Sequence, residues 1–225
     1  MMLRKTIKRQ LHRVGWQLKR EPGWPSLLHH VKPATVIDVG AAYGTPELYE
    51  SFPSAYHVLI DPVIEYRATL EGLLQAMRGE LHTVAIGSGP GQLQLQVDPC
   101  DPRFSSLHQR TDLTVRDVEA TTRTVSVSTL DTLLSAHGWE APFFLKLDTE
   151  GHELAAIQGA ASLLAKTVGV VAEVSLGPRF EGGYRLDEFV AALADLGFTP
   201  TNVIDAPGHG PSGQVPWLNL LFSPI

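Results

Sequence analysis

The chain has one cysteine among its 225 residues, Cys100, so no disulfide can close within it, and no Cys/His cluster has the spacing of a structural zinc site. A reducing, cytoplasmic setting is the expectation. No apolar run reaches the roughly 18 to 20 residues that a membrane span needs. The basic start lacks the apolar stretch of a secretory signal. Also absent is the GxGxxG turn that makes room for a dinucleotide pyrophosphate, which counts against NAD or FAD. No internal repeat is found.

What is present suits one globular domain. The composition is 44% hydrophobic and 19% charged, with mean hydropathy +0.01, enough apolar material for a core and no sign of bulk disorder. The net charge of -6 is unevenly spread. Arg4, Lys5, Lys8, Arg9, Arg13, Lys19 and Arg20 all precede the first acid, Glu21, so the remainder is strongly acidic. That acidic body would repel phosphate, and no nucleic-acid partner is expected.

Leu3, Ile7, Leu11, Val14 and Leu18 recur at steps of three and four within the basic segment, as on one stripe of a helix. Such a stripe could pack on its own domain, on a second copy in a homodimer, or on an anionic membrane surface or a membrane-borne partner. Glu21-Pro22-Gly23-Trp24-Pro25 should break the helix. The expected organisation is therefore a basic amphipathic helix and linker over 1–25 and a single domain over 26–225.

Beyond residue 26, short apolar strands alternate with helical stretches, the order of a mostly parallel sheet with helices on both faces. Strands are expected at 34–39, 56–60, 81–86, 142–147 and 168–174, and helices at 46–52, 63–77, 129–137, 152–165 and 186–196. Gly91 to Val97 alternates strictly, and with Val125-Ser126-Val127 it suggests an inserted hairpin. Two more strands are expected from Phe198 through Ile204 and from Trp217 to Phe222, making seven in a Rossmann-like α/β sheet.

Ligands of such sheets bind beyond the carboxyl ends of the strands. There the chain reads Val36-Ile37-Asp38-Val39-Gly40-Ala41-Ala42-Tyr43-Gly44. Gly40 and Gly44 would admit a cofactor close to the backbone, Ala41 and Tyr43 belong to the same turn, and Asp38 would face a charged or amino-bearing end. Asp61-Pro62 follows the second strand, where a carboxylate can accept both hydrogen bonds of a ribose diol. Ala85 or Ile86 would line the adenine face, and Ser106, within Phe104-Ser105-Ser106-Leu107-His108, offers a hydroxyl. Each acid taken alone could equally cap a helix or close a turn.

The strongest signal is Leu145-Lys146-Leu147-Asp148-Thr149-Glu150-Gly151-His152-Glu153, an apolar strand ending in ionisable groups. Lys146 inside such a strand implies a salt bridge or a substrate contact. Together with Val36 to Gly44, Asp61-Pro62, Thr129-Leu130-Asp131-Thr132-Leu133-Leu134 and Gly159-Ala160, this segment resembles the FkbM family of methyltransferases over about residues 34 to 175. The resemblance implies a class I methyltransferase fold, S-adenosylmethionine as donor, and most often O-methylation of a sugar, glycolipid or secondary metabolite. Asp61-Pro62 departs from the family's more usual Glu-Pro but keeps the carboxylate.

Alcohols are poor nucleophiles at neutral pH, so a base or a metal is called for. His152, Asp148, Glu150 and Glu173 are the available groups, and an unperturbed imidazole has the most suitable pKa. Asp148 and Glu173 would end neighbouring strands, where they could also hold Mg²⁺ and each serve as a cofactor or acceptor contact. The segment Gly177 to Arg185 is a candidate acceptor lip. N- and C-methylation stay open, as do a non-catalytic cofactor-binding module and, further off, an oxidoreductase.

Overall fold

A computed structural model describes residues 23–98, 101–111, 121–207 and 215–225. The basic helix expected before residue 21 and Cys100 lie outside the described residues. The first described element, α1 (Trp24–Leu28), starts after Gly23 and carries Pro25 in its first turn, where a missing N–H costs nothing. Leu28 is fully buried against Val36, Leu48 and Phe52, with Trp24 and Leu27 packed beside it. Part of the segment read as a linker therefore belongs to a helix of the domain, and the boundary at residue 25 falls inside that helix.

The chain then runs β1 (Thr35–Val39), α2 (Pro46–Ser51), β2 (Tyr56–Ile60), α3 (Arg67–Leu73), β3 (Gly79–His82), β4 (Ala85–Ile86), β5 (Gly91–Val97) and β6 (Thr121–Ser128). It continues through α4 (Leu130–His137), β7 (Phe143–Leu147), α5 (Glu153–Gln158), α6 (Ala161–Leu164), β8 (Thr167–Ser175), α7 (Leu186–Asp195), β9 (Phe198–Asp205) and β10 (Trp217–Pro224). Seven strands form one sheet in the order β3-β2-β1-β7-β8-β10-β9. Only β10 runs against the others.

Alternation along the strands supplies both core layers. Ile37, Val39, Leu145, Leu147, Val170 and Ala172 meet α4 to α7 through Leu130, Ile157, Leu163 and Phe189. On the other face Val36, Phe144 and Val171 meet α1 and α2 through Leu28, Leu48 and Phe52. The seven-stranded, mostly parallel sheet with helices on both faces is the architecture expected from the sequence.

Two expected elements divide. The strand read over 81–86 is two strands: β3 stays on the edge of the main sheet, while β4 leaves it to pair with β6 in a small second sheet of order β4-β6-β5. The helix read over 63–77 is a 3-10 turn at Ile64–Tyr66 followed by α3. Strands β5 and β6 pair antiparallel from Gly91 opposite Val127 to Val97 opposite Thr121, which is the expected hairpin. Its Leu95 and Val97 pack on Ala41, Leu59 and Tyr66, so the insert leans over the carboxyl ends of β1 and β2. The Thr129-to-Leu134 motif has a structural task. Thr129 caps α4, and the Asp131 carboxylate accepts from the Ser162 and Leu163 amides at 2.9 Å, fastening the start of α6.

Candidate active site

Where β1, β2, β7 and β8 end, a cavity of about 250 Å³ opens beneath the second sheet. Its floor is Val39, Gly40 and Ala42, and one wall is Asp61, Pro62, Val63 and Tyr66. Ala85, Ile86 and Leu95 form the roof, Ser105 to Leu107 close one side, and Asp148, Thr149, Glu150 and Glu173 stand at the far end. Gly40 has φ +74°, and a Cβ there would come within 1.7 Å of the Asp148 carbonyl oxygen, so only glycine lets the two strand ends approach this closely. Two further residues take left-handed backbone at the same place, Ala42 at φ 46° and Glu150 at φ 52°. Backbone strain of this kind gathers where a binding site over-determines the chain.

Asp61 is buried and has both carboxylate oxygens engaged, accepting from the Ala42 amide and the Val63 amide at 2.8 Å each. Burial pushes it up to about 6 even against those two bonds. Each oxygen keeps a second lone pair, which suits a vicinal diol. Tyr66 Oη, Ser105 Oγ and Thr149 Oγ1 line the same cavity, and each is buried with no hydrogen-bond partner. A buried polar atom left unmatched costs about 1–3 kcal/mol, and three of them belong to residues that line this one cavity. Of the expected cofactor contacts, Gly40, Asp61, Pro62, Ala85, Ser106 and Asp148 line the cavity.

The others sit elsewhere. Asp38 is fully enclosed, because strand register sets it directly opposite Lys146 on the face covered by α2. Lys146 Nζ lies 3.1 Å from Asp38 Oδ1, and the Tyr49 hydroxyl donates to Oδ2 at 2.6 Å. The Asp38 side chain therefore points into the helix layer rather than toward a ligand. Ala41 belongs to the core under the insert, and Tyr43 is half exposed with its ring edge against Tyr66 at 4.7 Å. Gly44 makes room for α3 instead: a Cβ on it would meet Leu73 at 2.5 Å.

Lys146 does not line the cavity either. Its ammonium donates to the Gly40 carbonyl at 2.8 Å and stands 3.4 Å from Asp148 Oδ2. Burial works against its charge, but Asp38 and Asp148 outweigh burial and hold the amine above its usual range. Lys146 thus stays protonated and acts as a positioning residue that ties the ends of β1 and β7.

Pairing of β7 with β8 brings Asp148 beside Glu173. With Glu150 they form a carboxylate wall whose nearest oxygens all lie within 4.8 Å of one another. Arg179 donates to Glu173 Oε1 at 2.8 Å and to Glu150 Oε2 at 3.0 Å, and Arg110 reaches Glu150 Oε2 at 3.0 Å. Fixed guanidinium groups already pair with Glu150 and Glu173 and offset their charge, so the Mg²⁺ anticipated at Asp148 and Glu173 gains no support. Burial, then repulsion from Asp148 and Glu150, pushes Glu173 up to about 8 in spite of Arg179. Glu150 is pushed up to about 7, chiefly by burial.

His152 stands at the start of α5, beside the wall and outside the cavity lining, with Nδ1 3.0 Å from His108 Nε2. Burial and the neighbouring His108 lower it to about 4. Glu153 instead turns inward, accepting from the Thr149 and Gly151 amides at 2.7 and 3.2 Å. Reading the sequence missed Tyr66 and Arg110 as parts of the site, and placed Arg179 in the candidate acceptor lip without its pairing to Glu150 and Glu173. Tyr66 was absorbed into a helical pattern. The two arginines lie in loops whose meeting, through the bridge between Arg110 and Phe180, has no local signal.

The chain's residues 38–200 match the family model described as the methyltransferase FkbM domain. The chain belongs to the FkbM methyltransferase family. Among solved structures it is similar to the FkbM methyltransferase from Methylobacillus flagellatus KT, at 18% identity and TM-score 0.51, over 90% of this chain and 48% of that one. This FkbM chain thus spans about half the length of that protein. Magnesium protoporphyrin IX methyltransferase from Synechocystis PCC 6803, solved with bound S-adenosylmethionine, is 10% identical over 90% of this chain and 75% of that one, with TM-score 0.47. The 1,6-didemethyltoxoflavin N1-methyltransferase of Burkholderia thailandensis is 15% identical over 89% and 76%, with TM-score 0.43. Among curated proteins none matches the chain. Among the described residues, no helix is long and apolar enough to cross a membrane.

Proposed function

We propose that this FkbM-family chain transfers a methyl group from S-adenosylmethionine to a hydroxyl oxygen of a small molecule or glycan, with Glu173 as the base. One observation carries the reading: Glu173 stands in the cavity wall beside Asp148 and Glu150, where burial and those two acids hold its carboxyl above the usual range and where it can accept an alcohol's proton. Bound S-adenosylmethionine supplies a methyl carbon made electrophilic by its sulfonium. Asp61 accepts from the ribose hydroxyls, Tyr66, Ser105 and Thr149 satisfy further polar atoms of the donor, and Ala85 and Ile86 give an apolar face for its base. The methyl group would pass from sulfur to the acceptor oxygen, the carbon–sulfur bond breaking to release S-adenosylhomocysteine, and the hydroxyl proton would go to a Glu173 carboxylate oxygen that Arg179 holds in place.

Incubating the protein with isotopically labelled S-adenosylmethionine and host extract, then locating the label by mass spectrometry, tests the assignment. Label on a hydroxyl oxygen, lost in Glu173→Gln while S-adenosylhomocysteine still binds, is the expected result. Label on nitrogen or carbon, or full turnover by Glu173→Gln, would overturn it.

A further inference from the structure

A second cluster of ligand-type side chains joins the edge strand β3 to the end of α4, and none of its members lines the cofactor cavity. Glu80 and His82 stand two residues apart on β3, so alternation sets both on one face. His137 is the last residue of α4, and Gly138, in left-handed backbone, turns the chain so that Trp139 follows alongside. His82 Nε2 comes to 3.0 Å from Glu80 Oε1, and His137 Nδ1 to 3.6 Å from the same oxygen. The three ligand atoms all lie within 4.8 Å of one another.

We propose that Glu80, His82 and His137 bind one first-row divalent cation of the zinc class. Bonds of about 2.0–2.1 Å to a tetrahedral centre set neighbouring ligand atoms about 3.3 Å apart, and the two measured separations from Glu80 lie on either side of that value. Two imidazoles with one carboxylate select such a cation over Mg²⁺ or Ca²⁺, which prefer oxygen throughout. An outer layer is already built: Trp139 Nε1 donates to Glu80 Oε1 at 2.5 Å, and the Tyr56 hydroxyl lies 3.4 Å from Oε2. Partners of this kind orient metal ligands.

Access comes from two sides. Glu80 and His137 line a cleft with Tyr56, Arg78, Trp139 and Glu140, and His82 lines another with Arg67 and Glu71. Arg67 in the second cleft is paired with Glu71 at 2.7 Å, and water can take the fourth position. A bound cation would brace β3, the exposed edge of the main sheet, against α4. The proposal does not depend on the methyl-transfer reading, because it concerns different residues and is read without turnover.

The test uses untagged protein stripped with chelator and titrated with Zn²⁺ alone by calorimetry and with Co²⁺ by visible spectroscopy. One Zn²⁺ per chain, a tetrahedral Co²⁺ absorption band and a Tm raised by about 5 °C at saturating Zn²⁺ are expected. His137→Ala, at a partly exposed position, and Glu80→Gln should each weaken binding by at least about tenfold, whereas His108→Ala should not. Absence of stoichiometric Zn²⁺ binding, affinity unchanged in both ligand variants, or loss of binding in His108→Ala would overturn the proposal.

Discussion

Two buried charge clusters flank the cavity, and they solve the same electrostatic problem differently. Beneath the floor, Lys146 sits between Asp38 and Asp148, with Tyr49 closing the remaining side of Asp38. The opposite charges there are strong enough to keep the lysine protonated against burial. In the far wall, Asp148, Glu150 and Glu173 crowd together, and Arg110 and Arg179 do not fully offset their burial, so Glu150 and Glu173 rise toward neutrality. The first cluster is a fixed strut. In the second, burial and mutual repulsion hold two carboxyl groups above their usual range beside the cavity, as the proposed base requires.

Removing one member from each cluster should separate the two roles. The largest effect is expected for Glu173→Gln, where turnover should fall by about 10²- to 10⁴-fold with S-adenosylhomocysteine affinity kept, as single-turnover assays and calorimetry would show. Equal loss of affinity and turnover would make the wall another strut. Next comes Lys146→Met. It strands Asp38 as a buried unpaired charge, so chemical denaturation should show about 3–5 kcal/mol of lost stability, with the second change Asp38→Asn restoring a good part of it.

Asp61→Asn should weaken donor binding by about ten- to a hundredfold and also lower Tm by a few degrees, roughly 2–4 °C per kcal/mol lost, because its amide oxygen can keep only one of the two backbone bonds. The pH response sharpens the contrast further. Glu173 is raised on folding, from the ordinary glutamate value of 4.5 to about 8. Its contribution to stability is therefore complete below about pH 4.5 and is lost as pH rises through about 8. Turnover should rise through that same upper limit, because the base must be deprotonated. Thermal scans and kcat/KM measured from pH 5 to 9 should consequently move in opposite directions. The smallest effect is expected for His152→Ala: a change in kcat below about threefold, since the imidazole lies outside the cavity lining.

Much of the fold was legible because it depends on local pattern. Buried parallel strands such as Thr35–Val39 and Phe143–Leu147 announce themselves as short apolar runs, and Gly91–Val97 as strict alternation. The split of 81–86 was not legible, because Ala85 and Ile86 are as apolar as the residues of the main sheet, and only the position of β6 draws them away. In the site, Asp38 and Asp61 look alike as acids at the ends of neighbouring strands. Asp38 falls within its strand, so its direction is set by the pleat and it faces the helix layer, whereas Asp61 lies just past β2 and is turned to the cavity by two backbone amides.

By itself the sequence determined the order of strands and helices, the glycine turn after β1 and the carboxylates that cluster after β7, because apolar periodicity and the steric freedom of glycine act over a few residues. Tertiary structure alone decided that Asp61 would face the cavity and Asp38 a lysine. It also decided that Arg110 and Arg179, 69 positions apart in the numbering, would share Glu150. Coulomb interaction and desolvation depend on distance and burial in space, and neither quantity exists until the chain has closed on itself.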